Sequence, residues 1–167
     1  MGKRRKDLPF IEGLHITTLA AEGKAMGKVD NQVVFVPMTV PGDVVDVQIR
    51  KHHRRFMEGV VVNYVEKSPL RVEHFCEHFG ICGGCKWQNL PYEEQLKQKT
   101  KQVEDQLVRI GHLDIPEVRP CLGSAKTREY RNKLEFTFAD RRWLTYEEIA
   151  SGVDIEAQPA IGFHIPG

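Results

Sequence analysis

Over residues 43–50 the side chains alternate: Val45, Val47 and Ile49 fall on one side, Asp46, Gln48 and Arg50 on the other. A period of two marks a half-buried strand. Residues 14–19, residues 33–36 closed by Pro37, and the β-branched run 59–65 are three further strand candidates. Residues 20–30, with Gly23 and Gly27, read as a turn or bulged crossover, and Pro41-Gly42 as a turn. Strands this short and closely spaced, with no helical period among them, predict a small closed all-β barrel over residues 10–66. Closure relieves so small a sheet of exposed edges.

The period then changes. Tyr92, Leu96, Val103, Leu107 and Ile110 share one face at helical spacing, between Pro91 as a start signal and Gly111 as a stop. This predicts an amphipathic helix of about five turns, with Glu93 and Lys97 able to pair one turn apart and the apolar stripe packed on a core. Residues 114–126, with Pro116 and Pro120, read as a connector. Residues 129–139 alternate again. Tyr130, Leu134, Phe136 and Phe138 lie on one face, with Asn132 as the exception; Arg131, Lys133, Glu135 and Thr137 lie on the other. Thr145 and Glu148 have capping-box spacing for a short helix, and residues 160–165 read as a return strand pairing with 129–139. The expected division is a barrel at 1–70 and an α+β segment at 71–167.

Composition narrows the function classes. The chain has 167 residues, 41% hydrophobic and 28% charged, with net charge +1. That is an ordinary globular balance and excludes a protein held to nucleic acid by overall charge, while leaving room for a local patch. No apolar run is long enough to span a membrane. Residues 1–7 are charged and lack the apolar core of a secretory signal, so a frayed basic tail, a cytoplasmic location and a monomer are expected. One local patch exists: residues 50–56, RKHHRRF, hold Arg50, Lys51, Arg54 and Arg55, two histidines and Phe56. Two readings stay open there, a solvated hairpin tip and an RNA phosphate-contacting loop with an aromatic ring for a base.

The strongest chemical signal is HFCEHFGICGGCKW at residues 74–87. Cys76, Cys82 and Cys85 have the pattern C-x5-C-x2-C, with Gly80, Gly83 and Gly84 between them. Glycine permits the backbone to wrap a centre and turn several thiolates inward. The charged, glycine-rich surroundings speak against ordinary buried cysteines, and a disulfide would leave an odd thiol and need an oxidising compartment. A metal site follows, zinc or iron–sulfur. Zinc sites favour paired C-x2-C knuckles, and one such pair exists; an uneven run of three favours iron–sulfur. Cys121, remote and without a knuckle of its own, reads as a structural thiol.

Taken together, the barrel pattern, HFGICGGCKWQ, YRNKLEF and GFHIPG resemble the S-adenosylmethionine-dependent RNA uracil-5-methyltransferases, which modify ribosomal or transfer RNA. Residues 10–66 resemble the OB-like TRAM domain that opens many members and binds RNA. The resemblance implies that Cys76, Cys82 and Cys85 are three ligands of a [4Fe-4S] cluster, with a fourth beyond Gly167 rather than Cys121. It also implies a central domain followed by a Rossmann-like methyltransferase domain holding the nucleophilic cysteine and the general base. No glycine-rich strand–turn–helix for S-adenosylmethionine occurs here. The chain is therefore expected to be an N-terminal portion, without catalytic residues and inactive alone. Arg131 and Lys133 join Arg50, Lys51, Arg54 and Arg55 as expected RNA contacts.

Uracil C5 is a poor nucleophile. A thiolate added at C6 creates an enolate reactive at C5; after methyl transfer a base removes the C5 proton and the thiolate leaves. The target base must leave its stack, so RNA-positioning modules belong beside such a site. The chemistry needs no electron transfer, which makes the cluster an architectural staple. Two alternatives compete: a stand-alone RNA-binding module with an iron–sulfur or zinc knot, and a TRAM-containing methylthiotransferase. The cysteine spacing and the N-terminal barrel disagree with the latter.

Overall fold

The computed structural model describes residues 8–164. The basic tail at 1–7 and residues 165–167, which include the last residue of the expected return strand, lie outside the described residues. Two compact units emerge. One is built from the residues up to Glu73 together with Trp87–Gly123; the other is built from His74–Lys86 and the residues from Ser124 onward.

The first unit holds the barrel. Its strands are β1 (Phe10–Leu19), β2 (Lys24–Val29), β3 (Gln32–Pro37), β4 (Val44–His52) and β5 (Phe56–Glu66). They close in the order β1-β2-β3-β5-β4, with β3 and β5 parallel and the other pairs antiparallel. The alternation of β4 is realised: Val45, Val47 and Ile49 are buried, and Leu14, Ile16, Leu19, Ala25, Val34, Val36 and Met57 complete the core with Val40 and Leu90. Fully burying such a side chain stabilises by about 1.5–3 kcal/mol. In β1 the buried positions change parity, from Leu14 and Ile16 to Leu19, because the register with β2 shifts between Ile16 and Thr18. A second shift, between Ile11 and Leu14, occurs at Gly13, whose φ is 61° and whose N–H donates to Asp46 Oδ1 at 2.9 Å. That bond, aided by Asn63, lowers the Asp46 pKa.

Residues 20–30 depart from the expected crossover. A short 3-10 turn at Ala21–Gly23 leads directly into β2. The glycine there serves packing: a Cβ at Gly27 would stand 2.3 Å from the backbone oxygen of His15, so β1 and β2 can meet only without a side chain.

Helix α1 spans Tyr92–Glu104, with Pro91 at the N-cap, and continues as a π-helical segment at Asp105–Ile110. It docks on the barrel through Gln98, which accepts from Thr18 Oγ1, and Gln102, which donates to the Ala20 carbonyl. Lys97 pairs with Glu94, not Glu93. The expected apolar stripe is only partly used: Leu96 is half-buried, while Val103, Leu107 and Ile110 are exposed. Leu107 and Ile110 lie in the π segment, whose wider turn rotates them off the helical stripe; Val103 precedes it and is exposed within the regular helix.

In the second unit, β6 (Thr137–Ala139) and β7 (Ala160–Gly162) form an antiparallel pair, with Phe138 opposite Ile161. The long strand expected over 129–139 is reduced to its last three residues. Its alternation is real, but pairing extends only as far as three-residue β7, and Tyr130, Leu134, Phe136 and Phe138 are exposed. Helix α2 (Tyr146–Ser151) begins at the expected capping box: Thr145 Oγ1 accepts from the Glu148 N–H, and the Glu148 carboxylate accepts from the Thr145 N–H.

Candidate nucleic-acid interface and cysteine loop

The basic stretch is more ordered than a loop. Arg50, Lys51 and His52 belong to β4, Phe56 opens β5, and only residues 53–55 turn, closed by the His53 N–H donating to the Phe56 carbonyl at 2.9 Å. Arg50, Lys51, Arg54 and Arg55 are exposed. The ion pairs among the described residues involve none of the four. Gln32, at the start of β3, braces the turn: its amide nitrogen donates to the Arg54 carbonyl, and its amide oxygen lies 3.4 Å from His52 Nε2.

The aromatic reading of this loop needs a correction. Phe56 is half-buried and already engaged: His53 stacks on it, with centroids 4.3 Å apart and planes at 25°, and Phe35 meets it edge-on at 5.6 Å. Parallel pairing puts Val33 of β3 beside Phe56, and Val33 in turn faces Lys28 of β2. Exposed Lys28 therefore shares the wall that leads to the basic tip. Sequence reasoning missed Lys28 because it missed β2; the alternation of Lys24, Met26 and Lys28 against Ala25 and Gly27 was the available signal.

In the second unit the cysteine loop is wound by its own backbone. The Phe79 N–H donates to the Cys76 carbonyl and the Cys82 N–H to the His78 carbonyl, with Gly80 at φ 94° allowing the turn between them. The Gly84 N–H donates to Cys82 Sγ at 3.3 Å. Cys76 and Cys82 are half-buried, Cys85 is exposed, and none is in a disulfide. The donor chemistry suits a soft metal: three thiols lie on one glycine-rich loop, and one already accepts an N–H, as metal-bound thiolates do. The convergence expected from the spacing is not shown, however. Among the described residues no three His, Cys, Asp or Glu side chains gather as a metal-binding group. Cys121 belongs to the other unit, where its N–H donates to Thr100 Oγ1.

Three remote segments meet within that second unit. Gly83, Gly84 and Lys86 of the cysteine loop, Arg131, Lys133 and Glu135, and Phe163 and His164 line a cavity of about 610 Å³. The Gly83 N–H donates to the His164 carbonyl, and the His164 ring lies 2.9 Å from Thr137 Oγ1 and edge-on to Trp143. Arg131 and Lys133 are thus brought beside the cysteine loop, together with Lys86; Arg50, Lys51, Arg54 and Arg55 belong to the barrel unit. Lys133 is partly engaged by Glu135 at 2.9 Å.

Residues 12–62 match the TRAM domain. The chain is 56% identical over 149 residues to a Bacteroides thetaiotaomicron protein described as an uncharacterized RNA methyltransferase, covering 89% of this chain and 33% of that one. It is 39% identical over 137 residues to the 23S rRNA (uracil(1939)-C(5))-methyltransferase RlmD of Francisella tularensis subsp. novicida, covering 80% of this chain and 30% of that protein. Among solved structures it is similar to the Pyrococcus abyssi tRNA (uracil-54, C5)-methyltransferase in complex with S-adenosyl-L-homocysteine, with TM-score 0.37 and 28% identity over 61% of this chain and 22% of that one. The chain spans about a third of the length of the curated relatives it matches.

Proposed function

We propose the following function for a chain that carries a TRAM domain and matches about a third of the length of proteins named RNA methyltransferases. It is the RNA-engaging and cluster-bearing region of an S-adenosylmethionine-dependent enzyme that methylates C5 of uracil in ribosomal RNA. Residues 1–70 grip the RNA. Residues 71–167 carry the cysteine loop and part of a central domain. The nucleophile and the base lie outside this chain, which acts in the cytoplasm as part of a monomer and is inactive alone. What carries the reading is the exposed Arg54–Arg55 pair, in no ion pair among the described residues and held on a braced hairpin of the TRAM barrel.

In this reading Cys76, Cys82 and Cys85 hold a [4Fe-4S] cluster, whose fourth ligand comes from outside this chain. The cluster, when bound, supplies a rigid staple and no electrons to the methylation. The loop's own residues do the positioning: Gly84 N–H orients Cys82 Sγ, and Gly83 N–H ties the loop to the His164 backbone. Arg131 and Lys133 add phosphate contacts from the polar edge of the cavity.

The test is a salt series. Each phosphate neutralised on single-stranded RNA contributes about −0.7 to the slope of log affinity against log salt. An Arg54→Ala/Arg55→Ala variant is expected to flatten that slope by about 1.4. Equal slopes and affinities for variant and parent remove the hairpin from the interface.

A further inference from the structure

The barrel carries a second kind of contact besides charge. Phe35, Phe56 and His53 form a three-ring ladder that rises from the barrel wall to the hairpin tip: edge-on at the first step, stacked at the second. The lower rings are half-buried, and only the last, His53, is exposed. The ring stacks on Phe56 and the residue is otherwise exposed, which is the arrangement a stacking platform needs. The backbone under it is fixed by the His53–Phe56 hydrogen bond and by Gln32. Exposed Arg54 and Arg55 follow it directly.

We propose that His53 is a stacking platform for one unpaired base of single-stranded RNA, with Phe56 as its buttress and the two arginines on the adjoining phosphates. This rests on the reading of the barrel as an RNA-binding module and adds how it tells a single strand from a duplex. Every base has a π-face, so stacking is tolerant of sequence, but a base inside a duplex has no free face to offer. A ring already held by Phe56 loses little freedom when a base lands on it, whereas a lone exposed ring would have to be ordered first.

The experiment compares the chain with His53→Ala and His53→Tyr, using a single-stranded RNA oligonucleotide that carries 2-aminopurine and a duplex of the same length. Stacking quenches 2-aminopurine. His53→Ala is expected to weaken single-strand binding at least about fivefold, since stacking is worth about 1–3 kcal/mol per base, to abolish the quenching, and to leave the salt slope unchanged. His53→Tyr is expected to restore both affinity and quenching, which a loss confined to hairpin packing would not require. Duplex affinity is expected to be the same for all three. If the parent binds and quenches no more than His53→Ala, the platform is refuted while RNA binding by the barrel stands. If the parent binds neither RNA, both readings fall. Thermal unfolding midpoints of the variants separate misfolding from lost contact; a destabilised His53→Ala leaves the decision to His53→Tyr.

Discussion

Arg71 clamps Asp43 with two bonds, Nε to Oδ1 at 2.8 Å and Nη2 to Oδ2 at 2.6 Å. Asp43 is fully buried, and the same carboxylate accepts the N–H groups of Val40 and Ser68. The clamp joins the turn before β4 to the segment leaving β5. Arg71 also donates to the Met38 carbonyl and lies over the Tyr64 ring, whose hydroxyl donates to that carbonyl as well. Burial alone would lower the Arg71 pKa, but the bond to Asp43 and the neighbouring Tyr64 hold it above the usual arginine value.

Asp43→Ala strands a partly buried guanidinium and two backbone donors. Removing one partner of a buried pair costs about 3–5 kcal/mol, and that loss is expected in denaturant unfolding. Arg71→Lys is expected to cost less but more than a surface change, because an ammonium cannot reproduce the fork. A loss within about 0.5 kcal/mol for Asp43→Ala, typical of surface positions, would show that the clamp does not hold the barrel.

Gly27→Ala is expected to destabilise by about 1–3 kcal/mol or more, since the new methyl meets the rigid backbone oxygen of His15 at 2.3 Å and Leu14 Cδ1 at 2.9 Å. Gly162→Ala is the control: a Cβ there meets no described residue within 4 Å, and its midpoint is expected to stay near the parent's. Similar midpoints for both variants would contradict the close approach of β1 and β2.

Glu148 is held to a pKa of about 2, first by the two bonds from Arg142 and next by the Thr145 N–H. A depressed carboxylate contributes stability that is present above its ordinary value near 4.5 and is lost as pH falls through about 2. The capping box of α2 is therefore expected to persist at pH 3.5, where ordinary glutamates are largely protonated. A carbon-detected NMR titration of the Glu148 carboxyl reads this directly; a midpoint near 4.5 counts against the box.

For the proposed cluster, anaerobic reconstitution of a protein extended to the length of the relatives is the measurement. Cys76→Ser, Cys82→Ser and Cys85→Ser are each expected to lower iron and sulfide content sharply, and Cys121→Ala to leave both unchanged. Full iron and sulfide in Cys82→Ser would remove the cluster from this loop, and their loss in Cys121→Ala would make Cys121 the missing ligand.

The sequence made the barrel legible where one side of a strand meets the core and the other meets water, as in β4, and made the α2 cap legible because its partners are three residues apart. The hairpin cluster is visible in the sequence as charge with one aromatic residue, but only the fold shows that His53 stacks on the Phe56 ring. β2 was hidden because Gly23 and Gly27 carry the signature of a turn, while Gly27 answers to a steric limit set by β1.

What the chain determines locally follows from periods and short spacings, since side chains two, three or four residues apart are placed by the backbone of their own element. The parity of burial in β4, the start of α2, and the run of Arg50, Lys51, Arg54 and Arg55 are of that kind. Tertiary structure alone decided the rest. Asp43 finds Arg71 across 28 positions, Gly83 meets His164, and Phe35 reaches Phe56 through a parallel pairing that no local pattern encodes. Such contacts depend on which strands close the barrel and on which remote segments share a unit. These choices are set by burying the whole core at once rather than by any one stretch of residues.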